Sequence, residues 1–114
     1  MIPNFMKKKL ILTFYINIIF LIILSLNSQK LLADEVFEKG REIFLNDGNC
    51  ASCHSLSDAK SIAVIGPSLD EIRPTLEVVL ATVTNGIGVM PAYQDILSKD
   101  EIEAVAHYVS KASN

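Results

Sequence analysis

Apolar residues fall along this chain in two different rhythms. From Leu10 to Leu26 the sequence is an unbroken uncharged, largely apolar run, preceded by Lys7, Lys8 and Lys9. Further on, the apolar residues become periodic. In Asp34 to about Asn46, Val36, Phe37, Ile43 and Phe44 recur among charged positions, and Gly40 and Phe44 stand at i, i+4. That spacing puts them on one face and predicts a helix, closed by the turn residues Asp47-Gly48-Asn49. The stretch from Ser55 to Ile65 has no sustained period and is expected to be a loop with at most one short helical turn, and Gly66-Pro67 interrupts any regular element. A second helix is expected from Pro74, through Leu76, Val79, Leu80 and Val83, to the stop signal Asn85-Gly86. The last helix runs from Lys99 to about Lys111: Ser98 and Glu101 form a capping box, and Ile102, Val105, Ala106 and Val109 repeat at helical spacing. No strand pattern, repeat or low-complexity linker interrupts these elements. The pattern predicts an all-α domain.

The N-terminal run has the basic n-region and apolar h-region of an export signal, so residues 1–33 read as a signal peptide and residues 34–114 as the folded domain. A small-residue cleavage position follows Ala33, although Leu31 sits where a small side chain is usual. The apolar run is just short of the ~20 residues that cross a bilayer, so an uncleaved inner-membrane tether is the alternative. Either way the domain lies outside the cytoplasm, in the periplasm.

Removing residues 1–33 also changes the charge. The domain keeps 6 Lys plus Arg against 13 Asp plus Glu, a formal charge of −7. Such a surface argues against nucleic acid and anionic membranes as partners. A domain this small buries only about 60% or a little more of its unfolded surface, so disulfides, a metal or a cofactor commonly supplement the core, and with no Trp in the chain something of that kind is expected to fill its centre.

The chemistry that could do so is concentrated in Cys50-Ala51-Ser52-Cys53-His54, which holds both cysteines of the chain. This is the C-x-x-C-H spacing of covalent haem attachment. Two thiols three positions apart reach the two vinyl groups on one porphyrin edge, and the adjacent histidine is held under the iron. Other uses of the same residues are a short disulfide, a dithiol redox pair without its βαβ setting, or a zinc site from Cys50, Cys53, His54 and His107. For the second axial position, Met1 and Met6 fall in the export segment and Met90 remains. It lies in a Gly-bearing loop stopped by Pro91, able to approach a flat cofactor. Set against ligation is the commoner use of methionine as a filler of core gaps.

Together these residues resemble the class I cytochromes c, in particular their small bacterial, c6-like or c5-like members, over residues 35–112. The resemblance rests on Gly40 and Phe44, Cys50 to His54, Gly66-Pro67-Ser68-Leu69, Asn85 to Tyr93, and a final helix with Tyr108. It implies a small cytochrome c fold of three to four helices around one haem c, bound through Cys50 and Cys53. By the same resemblance His54 and Met90 are the axial ligands, and the Pro67 carbonyl accepts the proton on the distal ring nitrogen of His54. Gly40 would be the small residue at the crossing of the first and last helices, packed with Phe44 and Tyr108. Asp47-Gly48-Asn49 makes the gap before the haem motif longer than in many relatives.

The function so implied is single-electron transfer between a redox protein donor and acceptor by a monomer that is not itself an enzyme. An apolar shell from Leu69, Leu76, Leu80 and Val83 and the Met90 thioether would both raise the potential. Two rivals stand beside it. One is the haem-c subunit of a periplasmic oxidoreductase complex, such as a sulfur-compound dehydrogenase. The other is a gas-binding module in which Met90 does not ligate.

Overall fold

The computed structural model describes residues 1–26 and 28–114. Its elements are helix α1 (Asn4–Leu45), a 3₁₀ turn (Cys50–Ser52), strands β1 (Ser55–Leu56) and β2 (Ser61–Ile62), and helices α2 (Leu69–Ile72), α3 (Leu76–Asn85) and α4 (Lys99–Ala112). They fall into two compact units, Met1–Ala33 and Asp34–Asn114.

In the first unit the chain is helical from Asn4, and its apolar side chains face outward; Leu10 is 71% exposed and Leu21 63%. The hydroxyls of Thr13, Ser25 and Ser28 bond back to carbonyls three or four residues earlier, so no hydroxyl among these three needs water as a partner. The helix is long and apolar enough to cross a membrane, a property that export signals share.

In the second unit the helix predicted to begin at Asp34 is present and ends at Leu45, but it is already helical before that residue. At Gly40 an added Cβ would collide with the Ala104 carbonyl oxygen and lie 2.6 Å from the Tyr108 Cβ, so only glycine lets α1 and α4 pass this closely. Tyr108 fills the crossing. Its ring meets Phe37 edge-on at 5.0 Å and Phe44 at 5.7 Å. Around it Ile43, Phe44, Val105, Ala106 and Val109 form one buried core with Leu56, Leu69, Val79, Val83 and Ile102, into which α3 and α4 pack side by side.

Helix α3 starts at Leu76, not at Pro74. Arg73 is left-handed, at φ 44°, and Thr75 takes the cap position, its side chain accepting from the Val78 N–H at 3.4 Å. Helix α4 carries the expected capping box: Ser98 Oγ accepts from the Glu101 N–H while the Glu101 carboxylate accepts from the Ser98 N–H. That same hydrogen bonding holds the Glu101 carboxyl below the usual carboxylate range.

In this mostly helical domain the stretch Ser55 to Ile65, expected to be a loop, holds a small hairpin. β1 and β2 pair antiparallel, Ser55 opposite Ile62 and Leu56 opposite Ser61. Strands of two residues are too short to show alternation in sequence. A turn closed by the Lys60 N–H on the Ser57 carbonyl, with Lys60 at φ 54°, brings them together. The hairpin is tied to the helix crossing through Asp58, whose carboxylate accepts from the Tyr108 hydroxyl at 2.7 Å and lies 3.5 Å from Arg41 Nε. Burial first, and then the hydrogen bond to Asp58, push the Tyr108 phenol well above its ordinary value.

Candidate haem-binding site

Helix α1 cannot continue past Leu45, because the chain folds back on itself there. The Asn46 N–H bonds the Glu42 carbonyl, the Gly48 N–H bonds the Ile43 carbonyl at 2.8 Å, and Asn49 turns left-handed at φ 48°. The next residue is Cys50. A single 3₁₀ turn follows, in which the Cys53 and His54 N–H groups both bond the Cys50 carbonyl, at 3.1 and 2.9 Å. Two free thiols and an imidazole are thereby presented from five consecutive residues.

Burial pushes the Cys50 thiol up to about 11, so it stays protonated at neutral pH. A dithiol oxidoreductase needs the opposite, a thiol that ionises easily. The environment therefore weighs against that use of the pair.

His54 is held from several directions. The Gly66 N–H donates to the Cys53 carbonyl at 2.7 Å, which brings Gly66-Pro67 alongside the motif. His54 Nδ1 then lies 2.9 Å from the Pro67 carbonyl oxygen. A carbonyl can only accept, so Nδ1 carries the proton and Nε2 keeps its lone pair for a metal. The backbone at Gly66 lies close against the ring: an added Cβ would be 2.5 Å from Cε1 and 2.8 Å from Nδ1. From the hairpin, Ser61 Oγ donates to the His54 carbonyl and accepts from the Leu56 N–H, each at 2.9 Å.

Met90 is presented differently. Helix α3 ends at Asn85 and Gly86 follows at φ 72°, where a side chain would meet the Met90 carbonyl oxygen at 2.7 Å. Ile87 and Met90 exchange two backbone hydrogen bonds, at 3.1 and 2.9 Å, across a turn with Gly88 at φ 56°. The turn aims Met90 without a long-range backbone bond of its own. The side chain is half-buried and packs against the same core cluster as Cys50, Ala51 and Leu80.

The residues fit a covalent haem. The free Nε2 of His54, the two thiols on one turn and the glycine at the imidazole face supply its thioether anchors, its proximal nitrogen and backbone that no side chain obstructs. Of the apolar shell expected around it, Leu69 and Val83 are buried and Leu80 partly so, whereas Leu76 lies at the surface. Leu76 lines a groove of about 510 Å³ with Val36, Lys39 and His107.

Among the described residues no cluster of three or more His, Cys, Asp or Glu is placed to hold a metal ion, and His107 sits on α4 in that groove.

Several positions escaped sequence reasoning. Gly66 beside the imidazole is marked only by its Gly-Pro pair, the Tyr93 hydroxyl and Asp58 act through contacts 45 and 50 positions away, and Ser61 acts from a hairpin too short to show a pattern.

Comparison with known proteins adds relatives to this geometry. Residues 35–109 match the family described as "Cytochrome C oxidase, cbb3-type, subunit III". The chain is 38% identical over 81 residues to cytochrome c6 of Cladophora glomerata, an alignment covering 66% of this chain and 87% of that protein. With cytochrome c6 of Microcystis aeruginosa it is 37% identical over 76 residues, covering 61% and 89%. Among solved structures it resembles the c-type cytochrome SorU from Sinorhizobium meliloti, with a TM-score of 0.67 and 50% identity over 70% of this chain and 93% of that one.

Proposed function

The chain belongs to the class I c-type cytochromes, and on that premise we propose that it is a periplasmic single-electron carrier with His54 and Met90 as axial ligands. When bound through Cys50 and Cys53, haem c supplies the one-electron iron couple. The observation that carries the reading is the imidazole of His54, its proton fixed on Nδ1 by the Pro67 carbonyl and Nε2 left with its lone pair, directly after the turn that bears the Cys50 and Cys53 thiols.

Each group then has a task. The Pro67 carbonyl sets the tautomer and orientation of His54 and raises its basicity as a ligand. Buried Leu69 and Val83 exclude water, which together with thioether donation from Met90 favours the reduced state. The acidic surface steers the domain toward a basic partner, an attraction that salt weakens. Residues 1–33 export the domain, as a cleaved signal or as a retained inner-membrane tether, and a monomer suffices for the task.

An optical spectrum of the matured protein tests this reading. Haem that survives denaturation, with a weak red band in the oxidised protein that disappears on reduction, is the expected result. Covalent haem without that band, together with fast carbon monoxide binding, would transfer the protein to the gas binders. Absence of covalent haem after expression with a haem-attachment system would overturn the assignment of Cys50 and Cys53.

The matched family carries the name of an oxidase subunit, which favours a second reading: a haem-c subunit accepting electrons inside a periplasmic oxidoreductase complex. A second polypeptide co-purifying at fixed stoichiometry would select it.

A further inference from the structure

The segment 86–97 carries Met90 and returns the chain from α3 to α4. Most of its hydrogen bonds are local: Gly86 to Thr82, Ile87 with Met90, Tyr93 N–H to the Val83 carbonyl, and Ile96 and Leu97 N–H to the Tyr93 carbonyl at 2.9 and 2.8 Å. The backbone of Tyr93 is thus fixed on both sides. Its side chain does something else. The phenol donates to the Gly48 carbonyl at 2.8 Å, across 45 positions of sequence. Among the described residues this is the one hydrogen bond from segment 86–97 to any part of the chain before α3.

The acceptor is firmly placed. Gly48 is buried, its N–H is bonded to Ile43, and a Cβ on it would lie 3.0 Å from both Cys50 Sγ and the Ile43 carbonyl oxygen. It therefore belongs to the rigid turn that delivers Cys50. That turn is the Asp47-Gly48-Asn49 stretch whose extra length stands out in the sequence.

We propose that Tyr93 is a positioning residue whose phenol, bonded to the Gly48 carbonyl, latches the Met90 loop to the turn before the haem motif and keeps Met90 on the iron. The proposal rests on the His54/Met90 reading above. Between Tyr93 and Met90 stand only Pro91 and Ala92, so little slack separates the latch from the ligand. Opening the loop enough to release Met90 must break or stretch this bond. The extra turn thereby gains a role: it raises a carbonyl to where the phenol can reach it.

The test compares Tyr93→Phe with wild type in the haem-loaded full chain, reading carbon monoxide association with the ferrous protein and the red band of the ferric protein. Phenylalanine keeps the ring and removes the donor. Losing one such hydrogen bond is expected to raise the open population, and with it the carbon monoxide rate, about fivefold. The red band should also fade at a lower temperature than in wild type. Tyr108→Phe is the control, because it removes a phenol bond at the helix crossing, away from the loop. A rate unchanged by Tyr93→Phe, with a normal red band in wild type, overturns the latch and leaves the ligation reading standing. An equal rise in Tyr108→Phe also overturns it, since general loosening would then account for the effect. A wild type lacking the red band removes both proposals.

Discussion

The segment around His54 and the segment around Met90 are built to different standards. His54 is fixed through its ring nitrogen, its carbonyl and its N–H, and the peptide at Gly66 lies against the ring itself. Met90 has one local backbone pair, half-burial against the core and, three residues on, the Tyr93 phenol. The number of independent restraints differs more than the ligand chemistry does. In a chain with both residues on one iron, the methionine side is the side that opens, and the histidine side is the one a mutation can strain.

The largest effect should come from Gly66→Ala. A methyl group placed 2.5 Å from His54 Cε1 must displace the ring or the Gly66 backbone, and overpacking of this kind costs about 3 kcal/mol. Chemical denaturation measures it, and a loss below about 1 kcal/mol would mean that the histidine side is looser than its contacts suggest. Next comes Met90→Ala. Loss of the thioether should remove the red band and lower the potential by on the order of 0.1 V, a part of the roughly 0.8 V that axial ligands span. The fold itself should lose less than with Gly66→Ala; an unaltered spectrum and potential would end the assignment of Met90.

Tyr108→Phe probes the frame beneath both segments. It removes a hydrogen bond to a carboxylate and should cost about 1.5 kcal/mol without favouring either side. In wild type the same phenol gives an alkaline signature. Its folded value is raised, so its contribution to stability is complete below about pH 10, the ordinary tyrosine value, and is lost as the pH climbs toward the folded one. Thermal melts should be flat in this respect from neutral to pH 10 and fall above it, less steeply in Tyr108→Phe. The smallest effect is expected from Ser61→Ala, about 1 kcal/mol from two exchanged hydrogen bonds partly replaced by water. Because His54 keeps its bond to Pro67, the absorption spectrum should not move. A spectral change would show that the hairpin, and not only the Pro67 carbonyl, orients the imidazole.

Much of this molecule was legible without coordinates, because its information is local. The capping box of Ser98 and Glu101, the periodicity of Ile102 to Val109 and the five residues from Cys50 to His54 each act over a turn or two of chain. Pattern alone therefore sufficed to place α4, the end of α1 and the Cys50 to His54 cluster on its turn. The start of α3 moved from Pro74 to Leu76 because a proline suits a first turn as readily as it suits the loop before one, and only the left-handed Arg73 decides between them. The hairpin was beyond sequence reasoning since two residues cannot display a period.

What the sequence determined, then, was which residues exist to do chemistry and which short stretches are helical. What only the tertiary structure decided was how strongly each is held. The proton on His54 Nδ1, the glycine at its face, the tie from Asp58 to Tyr108 and the reach of Tyr93 to Gly48 join residues from 12 to 50 positions apart. Contacts at such separations leave no periodic trace, because they depend on where the packed helices bring the backbone, and packing is a property of the whole core.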